Sequence, residues 1–229
     1  MLEIIFRDTD LLVVNKPSNV SLLADRTGAP NLWDEIKKSA KVGKPYLVHR
    51  LDKGTSGVLL IALNQRTQTS LTKAIQQHQV DKFYVAWVTG SLNLAGSGHI
   101  ELPLKKGRKS RYRVAGLRSA IVRHDRHWRL EPPGDGGHPS HTKLRLLRNL
   151  SDRSLVLLKP TTGRTHQLRV HLAWIGHPVL GDSLYGKPQS IEQQAPRLQL
   201  HCQKLVVPGW GRFLALPEKQ GWLGSEDLP

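Results

Sequence analysis

Short hydrophobic segments recur along the chain, and each is bounded by glycine, proline, asparagine or aspartate. Their enrichment in aliphatic and β-branched residues is typical of β-strands. The predicted strands are LEIIF (2–6), LLVVN (11–15), VLLIAL (58–63), KFYVAWV (82–88), KLRLL (143–147), SLVLLK (154–159) and LQLHCQKLVV (198–207).

Three other segments place apolar residues at helical spacing. Asn31 is a suitable N-cap for a helix over 32–40, and a second pattern covers 66–78. The third segment, 165–176, has one apolar stripe, polar residues on its other faces and Gly176 as a C-terminal stop. With more strand than helix, the pattern predicts an α/β or α+β protein.

The length and composition are those of a globular protein. A chain of 229 residues with 38% hydrophobic residues is long enough to bury a sizeable core. No internal repeat or low-complexity linker is present, so we expect a single domain over residues 1–229. The single cysteine, Cys202, excludes an intramolecular disulfide and a multi-cysteine zinc site. The N-terminal segment has no uninterrupted apolar stretch, which predicts a cytoplasmic protein without a membrane span.

The net charge of the chain is more informative about its partner than the overall composition is. The chain carries 34 Lys and Arg against 18 Asp and Glu, for a formal net charge of +16 and a pI near 10.3. Such an excess is unfavourable through self-repulsion unless the partner is a polyanion. We therefore expect a nucleic-acid partner rather than a membrane surface.

One segment concentrates this charge. Between positions 105 and 129 there are ten basic residues and one acid, Asp125, followed by a connection rich in proline and glycine. The two interpretations are a solvated surface loop and a basic flap, poorly ordered in the free protein, that closes on phosphates. The candidate RNA contacts in this insertion, which extends over about 105–138, are Lys105, Lys106, Arg108 and Lys109.

The candidate chemistry centres on HRLDKGTSG, residues 49–57. Asp52 follows a His-Arg pair and precedes Gly54 and Gly57, so the chain can turn sharply and present the carboxylate. Taken alone, a carboxylate near Arg50 is either a catalytic group or a partner in an ion pair.

Two further patterns contain candidate site residues. In KFYVAWVTG (82–90), strand alternation places Tyr84 among small apolar neighbours, where it is either a core residue or a functional one. In the helix of GRTHQLRVH (163–171), Arg164 and Arg169 lie near the N-terminal end, where the helix dipole does not favour cations. They need a carboxylate or a phosphate as partner. Adjacent His201 and Cys202 point to opposite faces of a strand, so we expect no metal site.

These motifs together resemble the RluA-type pseudouridine synthases. HRLDKGTSG, KFYVAWVTG, GRTHQLRVHLAWIGHPVLGDSLYG and PRLQLHCQKL occur in that family's order, with LVVNKPSNV before them, so the resemblance covers about 12–205. It implies an α+β fold in which an extended, mixed and mostly antiparallel sheet is flanked by helices and RNA-binding loops. It also implies one catalytic domain without a separate N-terminal RNA-binding domain.

The resemblance assigns roles to four residues. Asp52 is the catalytic carboxylate, either as a nucleophile or as a base that removes a sugar proton to give a glycal. Arg50 enters the stack vacated by the flipped uridine, Tyr84 stacks on the uracil, and Arg169 keeps Asp52 ionised. Isomerisation involves no redox step and no net hydrolysis, so no cofactor is expected. The implied partner is structured rRNA or tRNA, with no obligatory protein partner and a monomeric enzyme.

Three other classes of protein explain less of the pattern. A non-catalytic RNA-binding protein accounts for the charge, but a carboxylate facing phosphates would weaken its binding. A glycoside or nucleoside hydrolase typically needs two carboxylates, and no second acid lies near the basic motifs. A kinase has a glycine-rich loop, a strand lysine and a D-F-G motif besides its H-R-D motif, and this sequence has none of the three.

Overall fold

A computed structural model describes residues 2–25, 28–39, 44–108, 111–186 and 195–224, and all structural statements below concern these residues. The strands are β1 (Glu3–Arg7), β2 (Leu11–Lys16), β3 (Tyr46–Leu47), β4 (Ser56–Ala62), β5 (Asp81–Thr89), β6 (Ser97–Glu101), β7 (Leu104–Lys106), β8 (Tyr112–Val114), β9 (Ile121–His124), β10 (His127–Leu130), β11 (His141–Asn149), β12 (Arg153–Pro160), β13 (Leu200–Val207) and β14 (Gly211–Leu214). The helices are α1 (Leu32–Ser39), α2 (Gln65–Gln76) and α3 (Gln167–Trp174), with a short 3₁₀ turn at Arg118–Ala120.

The seven predicted strands and the three predicted helices are all confirmed. Asn31 caps α1, because its Oδ1 accepts the Asp34 N–H at 3.0 Å. Helix α3 starts only at Gln167, since His166 before it has a left-handed backbone with φ of 56°. The prediction of a single apolar stripe on α3 is wrong: every residue from Gln167 to Ala173 is buried, polar side chains included.

The chain divides into two compact units. Unit 1 comprises residues 1–82 and 200–220, and unit 2 comprises residues 83–199 and 221–229. That all 229 residues act as one domain stays a prediction.

Unit 1 is built on the strands in the order β1, β2, β4, β13, with β3 also on β4 and β14 also on β13. The β4–β13 pairing is parallel and the others are antiparallel. Strands β2 and β4 are buried along their whole lengths, so they form the centre of this unit. Helix α2 lies against β3 and β4.

Unit 2 has the strand order β5, β12, β11, β6, β10, β9, antiparallel except for the parallel β6–β10 pair. One hydrophobic cluster in this unit contains Trp87, Leu155 and Trp222. Helix α3 contacts β8 and β12. The sheets are mixed and mostly antiparallel and are accompanied by three described helices, which confirms the predicted α+β class.

Helix α3 carries a buried histidine. His171 Nδ1 shares a hydrogen bond of 2.9 Å with Thr142 Oγ1, and its Nε2 donates to the Leu102 carbonyl at 2.9 Å. Burial lowers the pKa of His171 to about 4, so the ring is neutral at pH 7. This neutral ring ties the helix to the sheet.

A close backbone approach in unit 1 requires glycine at position 57. Gly57 has φ of 119°, and a Cβ built on it would lie 2.2 Å from the Cys202 carbonyl oxygen on β13. The parallel register, with Gly57 opposite Cys202, leaves no space for a side chain.

We expect Gly57→Ala to lower the free energy of unfolding by about 3 kcal/mol or more, because the added methyl forces β4 and β13 apart. Urea denaturation measures this loss. Gly163→Ala is the matched control, since no atom lies within 4 Å of the added Cβ. Equal stability of the two variants would contradict the role assigned to Gly57.

Candidate active site

Asp52 lies in a tight turn that leads into β4. The Thr55 N–H donates to the Asp52 carbonyl at 3.0 Å and closes the turn. Asp52 is half-buried, whereas Arg50, two residues earlier, is exposed. The turn therefore presents a carboxylate at the protein surface close in sequence to an exposed guanidinium.

The carbonyl groups that follow Asp52 are held by side chains from the end of β2. Lys16 is fully buried, and its ammonium donates to the carbonyls of Lys53 at 3.1 Å and Thr55 at 2.8 Å. A third bond reaches the carbonyl of the residue after Lys16 at 2.9 Å. Ser18 Oγ donates to the Gly54 carbonyl at 2.7 Å. Three successive carbonyls of the turn are thus bound, which fixes its conformation.

His49, the first residue of the HRLD motif, is a structural residue. Its Nε2 accepts the Leu60 N–H of β4 at 3.0 Å. Burial, and secondarily the charge of Lys82, lowers the pKa of His49 to about 3. The ring is therefore neutral and anchors the chain just before Arg50 to β4.

Tyr84 and Arg169 belong to unit 2. Tyr84 is half-buried on β5 opposite Leu158 of β12. Arg169, on α3, is 7% exposed. Its Nε and Nη2 donate to the two carboxylate oxygens of Asp182 at 2.8 and 2.7 Å, and its guanidinium lies 5.2 Å from the centre of the Tyr185 ring.

Asp182 is the carboxylate partner that the sequence analysis required for Arg169 but did not identify. It is buried and also accepts the N–H groups of Leu184 at 2.9 Å and Tyr185 at 3.1 Å. These bonds hold the Arg169 guanidinium in one orientation. The only sequence signal for Asp182 was its place in GHPVLGD, part of the motif on which the family resemblance rests. The expected action of Arg169 on Asp52 stays a prediction.

The N-terminal end of α3 connects to the basic insertion. Arg164 is exposed and donates from Nε to the Pro139 carbonyl at 3.3 Å. The Tyr185 hydroxyl accepts the Tyr112 N–H of β8 at 2.9 Å and bonds His166 Nδ1 at 2.8 Å. Strand β8 is thus attached to the helix that carries Arg169.

The basic insertion is folded, which corrects the expectation of a poorly ordered flap. Strands β7 and β8 form one hairpin, with Lys105 opposite Arg113, and β9 and β10 form another. At the base, Leu104 and His138 exchange two backbone hydrogen bonds of 2.9 and 2.7 Å. Buried residues such as Leu104 and Trp128 alternate with the cations and supply the core that a flap would lack. Lys105 is half-buried, Lys106 and Arg108 are exposed, and Lys109 lies outside the described residues.

Neither a metal centre nor a membrane helix is found in the described ranges. No three His, Cys, Asp or Glu side chains there are grouped so that they could hold a metal ion. None of the helices described is long and apolar enough to cross a membrane.

The fold and the motifs together define an enzyme that acts on RNA. Residues 10–174 match the family model described as RNA pseudouridylate synthase. The chain is 34% identical to the dual-specificity RNA pseudouridine synthase RluA of Salmonella typhi, over 93% of this chain and 90% of that protein. It is also 34% identical to the ribosomal large subunit pseudouridine synthase D of Borreliella burgdorferi, over 89% and 60%.

A solved structure supports the same assignment. Human RNA Pseudouridylate Synthase Domain Containing 1 matches with a TM-score of 0.74 and 29% identity, over 95% of this chain and 84% of that one. The chain therefore belongs to the RNA pseudouridine synthases of the RluA type. It is an isomerase that converts uridine in RNA to pseudouridine, as the sequence analysis expected.

The pair formed by Arg169 and Asp182 gives a prediction about stability. We expect Asp182→Asn to lower the free energy of unfolding by about 3 kcal/mol, because it leaves a buried guanidinium without its counter-charge. Asp152→Asn is the control, since Asp152 is a partly exposed ion-pair partner of Arg153 at 4.0 Å and should change stability by less than about 1 kcal/mol. Urea denaturation that gives both variants the same midpoint would show that the buried pair is not stabilising.

Proposed function

We propose that the enzyme isomerises specific uridines in structured rRNA or tRNA and that Asp52 carries the reaction. The main observation in support is the fixed turn around Asp52, whose following carbonyls are bound by Lys16 and Ser18. A half-buried carboxylate on a rigid turn can meet a sugar carbon with little loss of orientation. The relative named for the large ribosomal subunit supports ribosomal RNA as a substrate, and the relatives named for dual specificity support more than one target.

The reaction replaces the C1′–N1 bond by a C1′–C5 bond. The C1′–N1 bond of uridine breaks, the uracil turns in place, and C5 joins C1′ while the C5 proton is lost and N1 gains one. Asp52 acts in one of two ways. It attacks C1′ and leaves again when C5 bonds to C1′, or it removes a sugar proton to give a glycal and returns that proton when C5 bonds to C1′. Atoms and electrons balance in both routes without a cofactor.

Arg50, Tyr84 and Arg169 assist in this proposal. Arg50 is exposed and long enough to enter the RNA stack, which offsets part of the cost of flipping a base. Tyr84 stacks on the flipped uracil. Arg169, oriented by Asp182, supplies the positive charge that keeps Asp52 ionised.

The remaining RNA contacts are Arg164 and the cations of the basic insertion, namely Lys105, Lys106, Arg108 and Lys109. Their support is exposure and charge: Arg164, Lys106 and Arg108 are all exposed. The enzyme acts as a monomer in the cytoplasm, where rRNA and tRNA are available, and requires no metal and no protein partner.

We expect Asp52→Asn to abolish pseudouridine formation, because the charge of the reacting group is removed. The affinity for RNA should stay within about twofold of the wild type, and the unfolding midpoint should hardly change. Nucleoside analysis of treated RNA measures the product. Asp52→Glu should fail as well, since the added methylene displaces the carboxylate by about 1 Å.

Asp34→Asn, which changes an exposed residue on α1, is the control and should retain full activity. Appreciable turnover by Asp52→Asn would exclude Asp52 as the catalytic group. Release of free uracil by the wild-type enzyme would instead indicate a hydrolase.

A second prediction concerns the basic insertion. Replacing Lys105, Lys106 and Arg108 by Gln should flatten the dependence of log K on log salt by roughly 2 units, because each phosphate contact contributes about 0.7 to 0.9. Binding of folded RNA should weaken more than binding of a short unstructured RNA.

The matched control for the insertion replaces three exposed lysines of unit 1 by Gln, namely Lys37, Lys38 and Lys73. It removes the same net charge from another part of the surface. If both triple variants have the same salt slope, the insertion makes no specific phosphate contacts.

A further inference from the structure

The strand registers of unit 2 align basic side chains that are far apart in sequence. Lys159 of β12 lies opposite Lys143 of β11, which lies opposite His99 of β6. His99 lies opposite His127 of β10, which lies opposite His124 of β9. Directly opposed residues share one face of a sheet, and adjacent strands are about 4.8 Å apart. These five residues, called the cross-strand row below, therefore extend over about 19 Å.

The face that carries the cross-strand row is open and mainly positive. His99 and Lys159 are half-buried, and the other three members of the row are exposed. Alternation along β11 and β10 adds Arg145, His141 and Arg129 to the same face, all exposed. The acids nearby are Glu101, 3.6 Å from His141, and Glu131, which pairs with His124 at 3.1 Å and with Arg129. A third acid, Asp125 in the β9–β10 turn, pairs with Arg126 at 3.0 Å.

The cross-strand row lies on the opposite side of the sheet from α3. Thr142 and Leu144, which alternate with Lys143, are buried, and Thr142 bonds His171 and Gln167 of α3. Tyr84 is opposite Leu158, the neighbour of Lys159 on β12, so it shares the α3 face. Contacts made by the cross-strand row are thus separate from those proposed for Tyr84 and Arg169.

The cations of the cross-strand row disfavour one another in the free protein. The rings of His99 and His127 are in edge contact with centroids 4.8 Å apart. Partial burial, then the charges of His127, Lys143 and Arg126, lower the pKa of His99, with only Glu101 acting in the opposite direction. A bound polyanion would offset this repulsion and favour the protonated form of His99.

We propose that the cross-strand row binds the phosphate backbone of the RNA substrate at a segment remote from the modified uridine. A folded RNA is then held on both faces of the unit 2 sheet. Charge complementarity and the 19 Å extent estimated from strand spacing fit a stretch of backbone rather than a single small anion. The inference rests on RNA as the substrate and is independent of the role of Asp52.

The test compares two variants of equal net charge. Lys143→Gln with Arg145→Gln removes two cations from the face that carries the row, and Arg66→Gln with Lys73→Gln removes two exposed cations from α2. We expect the first variant to raise the Kd for bulk transfer RNA about tenfold and to flatten the salt slope by about 1 to 2 units, measured between about 0.05 and 0.2 M salt. The α2 variant should bind nearly as the wild type does, and affinity for a short single-stranded RNA should be unchanged in both.

A second measurement uses pH, with binding as the readout. Wild-type affinity for transfer RNA should rise as the pH falls from about 7.5 to about 5.5, because bound phosphate favours the protonated form of His99, whose pKa burial and neighbouring cations lower in the free protein. His99→Gln with His127→Gln should reduce this rise, with an unfolding midpoint close to that of the wild type.

Three outcomes would overturn the proposal. Equal weakening in the β11 and α2 variants would show that only net charge matters. Loss of short-RNA binding in the β11 variant would show that the face acts through the site that holds the uridine. If the β11 variant binds transfer RNA as the wild type does but binds poly-glutamate more weakly than the wild type, the face would instead be assigned to an acidic protein partner.

Discussion

The buried ammonium of Lys16 constrains the turn that carries Asp52, the residue proposed to be catalytic. Moving an ammonium out of water costs several kcal/mol, and this cost is offset only when its protons are bound. Lys16 meets that requirement with three carbonyls, two of which belong to the turn after Asp52. Displacement of the turn would leave a buried cation with too few acceptors. The position of Asp52 is therefore coupled to the buried strand β2 and not only to its own loop.

Unit 2 uses a second buried cation for a similar purpose. The two parallel bonds from Arg169 to Asp182 fix the plane of the guanidinium, and Tyr185 packs against that plane. Because the Tyr185 hydroxyl also accepts the N–H of Tyr112, the strand paired with Lys105 and Lys106 is attached to the same cluster. The basic insertion is consequently attached to the residues that orient Arg169. The RNA contacts proposed for the insertion would then start from a rigid base.

The sequence predicted the longer strands, which contain several hydrophobic residues, and missed the short strands of the basic insertion. In β10, Trp128 and Leu130 are buried between His127 and Arg129, and the local charge concealed that alternation. The motifs placed Asp52 and Arg169 correctly in a turn and a helix. They did not identify the roles of Lys16 and Asp182. Lys16 contacts a residue 37 positions away and Asp182 contacts one 13 positions away, and such contacts leave no periodic signal in the sequence.

Sequence alone also does not show which histidines are buried in the core. The ring of His201 is buried between Ser56 Oγ and the Ala215 carbonyl, at 2.8 and 2.9 Å, and burial lowers the pKa values of His49 and His171 to about 3 and 4. The unfolded chain takes up protons on His49 and His171 below about pH 6.5, whereas the folded protein does so only near their lowered pKa values. Stability therefore falls as the pH drops from about 6.5 towards 4. Acidification thus destabilises both units, through His49 in unit 1 and through His171 in unit 2.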